Sequence, residues 1–391
     1  MAPWRQISVM ASLLLLLLLP AIVQTQPAGS APADGLRPTM RGIFQALTTV
    51  IPLSLSKERF QDAANRQRLH DALLALSNHA MKLTQHGQRA PAGFDFLRRS
   101  LQDDARNVFE LFESESFEES RFILHHLVDH CFLCHSRLPS SQPFPLGKRF
   151  LEQIPLKQLD PHERMRLAVA TRQFDTALAS CETIFRSLDL PAAQIDLMAL
   201  FEDYLRIAIR VQGDFPRVIR TLETFQRRPD VPTYLADHLS AWIEALTILQ
   251  ADREQNDELT QARALIQQGQ QLNRYLADRQ GLVHFTLASS LLHRFAESRS
   301  ASKLKLAEAY YLLGVAGSYM PRTSWISETE FYLETAVRLA PASSIGKQAF
   351  VFLEAYLIMG YSGSSGLHFP PDIHHRLEEL RAFVKSHSIE K

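Results

Sequence analysis

The chain has 391 residues, with 42 Lys plus Arg against 42 Asp plus Glu and 46% apolar residues. That length exceeds one small core and predicts two or three domains, and the apolar content excludes a disordered chain. Balanced charge with no long run of one sign lacks the basic footprint of a nucleic-acid binder.

The first segment, "MAPWRQ", carries Arg5 and runs into "ISVMASLLLLLLLPAIV" and then the small, polar "QTQPAGSAPADG". That order reads as an export signal with cleavage between Ala21 and Ala33, where Ala31-Pro32-Ala33 supplies a small-x-small site. The apolar run, about 17 residues and broken by Pro20, stands at the lower end of spanning length, so an uncleaved anchor is the alternative. No cysteine follows the apolar core to take a lipid, and no later stretch is apolar enough to span. The expectation is a periplasmic protein in which residues 1–33 are signal and spacer.

Four helices are expected next, over residues 38–51, 57–86, 94–112 and 117–135. Each carries one apolar stripe: Leu69, Leu73, Leu76, Ala80 and Leu83 in the second, Leu97, Leu101, Ala105, Val108 and Phe112 in the third. Pro52, "HGQRAPAG" and "ESES" punctuate short connections, as between antiparallel neighbours.

The fourth helix ends in "DHCFLCH", which sets Cys131, Cys134 and His135 at the spacing C-x-x-C-H in a chain with one other cysteine, Cys181. A thioredoxin-like dithiol needs the pair at the start of a helix after a strand, the reverse of this context. Zinc needs more ligands, and no second C-x-x-C supplies them. For c-type haem the spacing has a direct reason. Sulfurs one helical turn apart take thioether bonds to the two vinyl groups on one porphyrin edge, and the adjacent histidine reaches the iron. The expected cofactor is therefore one covalent haem c, on Cys131 and Cys134, with His135 as proximal ligand. His125, His126 and His130 are expected to face solvent or the haem edge, and Cys181 to be an ordinary buried thiol.

Four helical stretches with C-x-x-C-H near the end of the fourth resemble the cytochrome c′ family, including its six-coordinate relatives, over residues 37–138. The resemblance implies a haem-bearing four-helix bundle, here residues 34–138. It makes Met40 in the first helix the candidate sixth iron ligand, and sets Arg37 or Arg41 against a haem propionate. Met40 also begins an apolar stripe with Ile43, Phe44 and Leu47, an equally ordinary use of methionine. One departure stands out: the family usually has a basic residue a few positions after the haem histidine, whereas Arg137 comes two later and Leu138-Pro139 ends the helix.

Beyond a Ser/Pro-rich linker, residues 139–147, the chain stays helical to its end. Helix pairs are expected at 161–172 with 174–188, 194–212 with 215–227, and 234–250 with 259–279, a period of about forty residues. The clearest unit, "AEAYYLLGVAGSYM" followed by "WISETEFYLETAVRLAP", resembles a tetratricopeptide repeat. Ala309, Tyr310, Leu313, Gly314 and Ala316 stand at its first-helix positions, and Tyr332, Ala336 and Pro341 at second-helix ones; Thr329 replaces the usual small alanine. The resemblance implies a stacked solenoid over 148–391 whose concave face binds a protein or peptide, with Trp242 and Trp325 either on that surface or in the core.

The sequence thus predicts an all-α, exported monohaem cytochrome of the c type: a four-helix bundle followed by a tetratricopeptide-like solenoid. Its expected function is one-electron transfer, or redox coupling to a partner protein within an assembly that the repeats hold. A five-coordinate haem that binds a diatomic gas, or a protein-interaction scaffold, are the alternatives. An enzyme is not expected, since no distal histidine-arginine pattern of a haem peroxidase is assignable.

Overall fold

Apolar side chains three and four residues apart wind nearly all of the described chain into helices; among the described residues the one sheet is a two-stranded ribbon, Ser362–Gly363 against Gly366–Leu367. The computed structural model describes residues 36–85, 92–137, 139, 144–192, 197–251, 257–275, 278–298, 301–320, 326, 328–364 and 366–389. The expected export signal, with Trp325, lies outside those residues.

The first five helices are α1 (Leu36–Ser54), α2 (Lys57–Gln61), α3 (Ala63–Gln85), α4 (Ala92–Glu113) and α5 (Phe117–His135). The single helix expected over 57–86 is two. Asp62 is extended and its Oδ1 accepts from Ala64 N at 2.9 Å, so a side chain that favours capping over a helix interior restarts the helix there. α1 packs on α3, α3 on α4 and α4 on α5, and their stripes close a core that includes Val50, Leu69, Leu73, Leu76, Val108, Leu124 and Leu127. Each such side chain contributes about 1.5–3 kcal/mol by burial. Gly42 in α1 meets the His79 ring of α3, Arg98 in α4 donates to Leu83 O of α3 at 3.1 Å, and His130 in α5 meets Ser100 Oγ of α4 at 2.9 Å. The start of α1, the end of α3, the start of α4 and the end of α5 therefore share one end of the group.

The chain continues through α6 (Pro145–Gln153), α7 (Pro161–Ala170), α8 (Phe174–Arg186), α9 (Leu197–Leu205), a π-helical turn (Arg206–Gln212), α10 (Phe215–Gln226), α11 (Thr233–Ala251) and α12 (Glu258–Leu272). It ends with α13 (Leu282–Glu297), α14 (Lys303–Ser318), α15 (Glu328–Leu339), α16 (Ser344–Tyr361) and α17 (Pro371–Ile389). Of the expected linker, residues 145–147 are the first turn of α6. Pro145 is preset for that position, where its missing N–H costs nothing. Phe144 and Phe150 set their edges on Phe44 of α1, with ring centroids 5.0 and 5.6 Å apart. Phe132 and Leu133 of α5 belong to the same core as Phe150, Phe174, Phe201 and Trp242. The first four expected helices and those beyond thus share apolar contacts across residues 139–147.

From α12 onward each helix packs on the next as far as α17, and α12 also touches α14, as α14 touches α16, so the helices stack in layers over a second core. Gly314 permits a close approach of α14 to α15: a Cβ there would stand 2.5 Å from Leu333 Cδ2. Trp242 is fully buried, its Nε1 donating to Arg279 O at 2.6 Å, which makes it core. Among the described residues no helix is long and apolar enough to cross a membrane.

Candidate functional site

On α5 the buried residues Ser120, Leu124, Leu127 and Cys131 follow one another at four, three and four residues. Leu124 and Leu127 point into the bundle core, so this stripe carries Cys131 toward the end where α1 begins. Cys131 is buried and Cys134 half-buried, and neither is in a disulfide. Burial, helped by Cys134 and Asp129, pushes the Cys131 thiol up to about 12. Burial likewise pushes Cys134 up to about 11, against the pull of Arg137. Thiols at such values stay protonated at neutral pH, which does not suit a dithiol exchanger.

His135 is half-buried, with Nδ1 3.3 Å from Val169 O at the end of α7. Burial, then Arg172, lowers its pKa to about 4, so the ring is neutral. With Nδ1–H donating to that carbonyl, Nε2 keeps its lone pair. A backbone carbonyl that fixes the tautomer in this way is the usual support of a metal-ligating histidine. The residues present therefore fit a haem held by Cys131, Cys134 and His135: two un-ionised thiols on an inward stripe and a neutral imidazole with one nitrogen pinned.

The charges around the motif come from elsewhere than the sequence suggests. Arg37 and Arg41, the expected propionate contacts, are exposed on α1. Buried instead are Arg98 and Arg137, at 2% and 4% exposure, and both bear on Cys134. Arg98 Nη2 bonds Asp95 at 2.8 Å. Arg137 Nη2 donates to Glu328 Oε1 at 2.6 Å and to Tyr332 Oη at 3.0 Å, both on α15. Gly93 makes room for it, since a Cβ there would stand 2.5 Å from Arg137 Nη1. Gly93 N donates to Tyr310 Oη of α14 at 3.3 Å, and Phe96 stacks on Phe331 at 4.2 Å. The C-terminal helices thus close over the motif end of the bundle. No sequence signal marked Arg98: a long cationic side chain inside an amphipathic helix reads as surface until a partner helix covers it.

Met40 is half-buried against the bundle core at the same end. Beside it stands a residue the sequence reading missed. The His79 ring lies where a Cβ on Gly42 would come within 2.3 Å, and its Nδ1 is shielded from solvent with no hydrogen-bond partner. Of the other histidines, His125 and His126 line a groove of about 1180 Å³ with Ser54, Leu55, His162 and Arg166, on the face of α5 turned away from the motif. His130 points inward to Ser100. Cys181 is fully buried.

No family model, no curated protein and no solved structure matches the chain.

Proposed function

We propose that this chain is a c-type haem protein that carries one electron at a time, exported and coupled to a redox partner through its helical layers. The observation that carries the reading is the pose of His135, neutral and pinned through Nδ1 by Val169 O at 3.3 Å, one residue from a pair of unbridged thiols. When bound, the haem supplies the one-electron chemistry. The chain's own residues do the rest. Cys131 and Cys134 anchor the ring through thioethers, and Val169 O orients His135. Met40 on α1 would be the candidate for a further iron ligand, in keeping with the resemblance to cytochromes c′. Arg98 and Arg137, each ion-paired with a carboxylate, would flank the attached ring. The layered helices that follow offer the surface for a protein partner.

The test is covalent attachment. Protein made in a host with c-type maturation keeps its haem through acid-acetone extraction and denaturing electrophoresis, and Cys131→Ala with Cys134→Ala loses it. Release of haem from the unaltered chain on extraction would overturn the reading.

A further inference from the structure

The π-helical turn Arg206–Gln212, a conformation that is rare and concentrated at functional positions, carries two buried arginines one turn apart, Arg206 and Arg210, at 7% and 5% exposure. Arg206 Nη2 is taken by Glu202 Oε1 at 2.7 Å. Arg210 Nη2 donates to Ser289 Oγ of α13 at 2.5 Å, a neutral acceptor, and among the described residues no carboxylate pairs with this guanidinium. Arg210 Nε and Arg206 Nη1 are shielded from water and have no partner.

The surroundings do not supply the missing charge. Arg206 and Arg137 face Arg210 as further cations, with Glu328 the opposing anion. That carboxylate is already engaged by Arg137 and by Tyr332 Oη, each at 2.6 Å. His293, against Tyr332, stays neutral because burial and the three arginines hold its pKa far down. Asp129 and Asp203 are both bonded to Arg166, and Asp203 lends its charge to Arg206 but not to Arg210. Burial also raises Glu202 to about 7, against the pull of Arg206, to which that carboxylate is committed. Burial and Arg206 depress Arg210 only to about 9, which leaves it charged there. A buried guanidinium with unfilled N–H groups and no carboxylate bonded to it is disfavoured, and its planar fork matches a carboxylate.

We propose that Arg206 and Arg210 form a binding site for a carboxylate, set between the π-helical turn, α13 and α15. The carboxylate has two sources of the same chemistry. One is a small organic acid from solution; the other, which rests on the haem reading above, is a propionate of a haem on α5, the direction in which Arg137 extends the cluster.

Thermal unfolding of the full chain in acetate, against chloride at equal ionic strength, tests this. It is done with and without haem, the haem-free form being Cys131→Ser with Cys134→Ser. Acetate at about ten times its dissociation constant is expected to raise the haem-free midpoint by about 2 °C. Arg210→Met removes that response, while Arg210→Lys, which keeps the charge but not the fork, retains a weaker one. A haem-loaded chain that no longer answers to acetate, and that melts lower with Arg210→Met, assigns the site to the propionate. A loaded chain that still answers assigns it to a free acid. If the haem-free chain shows no acetate response, or Arg210→Met keeps the full response, and Arg210→Met melts no lower than its parent when haem-loaded, the site is overturned. A chain that never takes up haem sinks the haem reading yet leaves the haem-free arm to decide this one.

Discussion

His79 and Met40 stand at the same end of the bundle as Cys131, and on the haem reading proposed above they are rival candidates for a further iron ligand. A loaded protein with Met40 as ligand has a low-spin reduced spectrum, and Met40→Ala is expected to convert it to a high-spin form that takes carbon monoxide, with His79→Ala leaving the spectrum unchanged. Conversion by His79→Ala instead would move the ligand to α3, where the unpartnered Nδ1 lies. A second residue-scale effect is titration. Burial holds His130 at about 4, below its ordinary 6.5, so the unfolded chain binds this proton and the folded one does not. Stability is full above about pH 6.5 and declines as pH falls toward 4, by about 1–3 kcal/mol for this group. Denaturant midpoints measured across that range are expected to show the decline, and His130→Gln, which keeps a hydrogen bond to Ser100, flattens it. The motif residues were legible because C-x-x-C-H is rare and self-contained. Arg98 and Arg137 were not, because nothing along the chain marks an arginine as buried.

At the scale of elements, α14 and α15 depend on one missing methyl. A Cβ at Gly314 would meet Leu333 Cδ2 at 2.5 Å, so Gly314→Ala pushes two packed helices apart and is expected to cost about 1–3 kcal/mol. Leu333→Ala in the same chain should recover part of that loss, because it removes the clashing atoms. Gly360→Ala serves as the contrast: nothing stands within 4 Å of its Cβ position near the end of α16, and the change is expected to be neutral or stabilising by up to about 1 kcal/mol. Paired thermal melts of the three variants check this. The helical periods were readable from spacing. The break at Asp62 was not, since the apolar pattern runs on past a side chain whose capping bond is made only locally.

Across the whole molecule, the sharing of core between the haem-motif helices and those beyond has a direct consequence. A chain ending at residue 142 loses the partners of Phe44, Phe132 and Leu133 and uncovers Arg137. It is expected to unfold at a lower denaturant midpoint than the full chain and to expose apolar surface that binds a hydrophobic dye. A short form as stable as the full chain would show that the bundle core suffices by itself. The Ser/Pro-rich run at 139–147 looked like a boundary because Pro145 reads as a breaker, yet proline also opens helices.

Local chemistry written along the chain determined that the protein is helical, where most stripes begin, and that Cys131, Cys134 and His135 form one constellation; each rests on spacing within a few residues. Tertiary structure alone decided which groups surround that constellation. Val169 pins His135 from 34 residues away, and Glu328 and Tyr332 hold Arg137 from 191 and 195 residues away. Such pairings follow from which helix faces pack together. Packing is settled by the sum of many weak apolar contacts over the whole chain, which no short pattern of residues encodes.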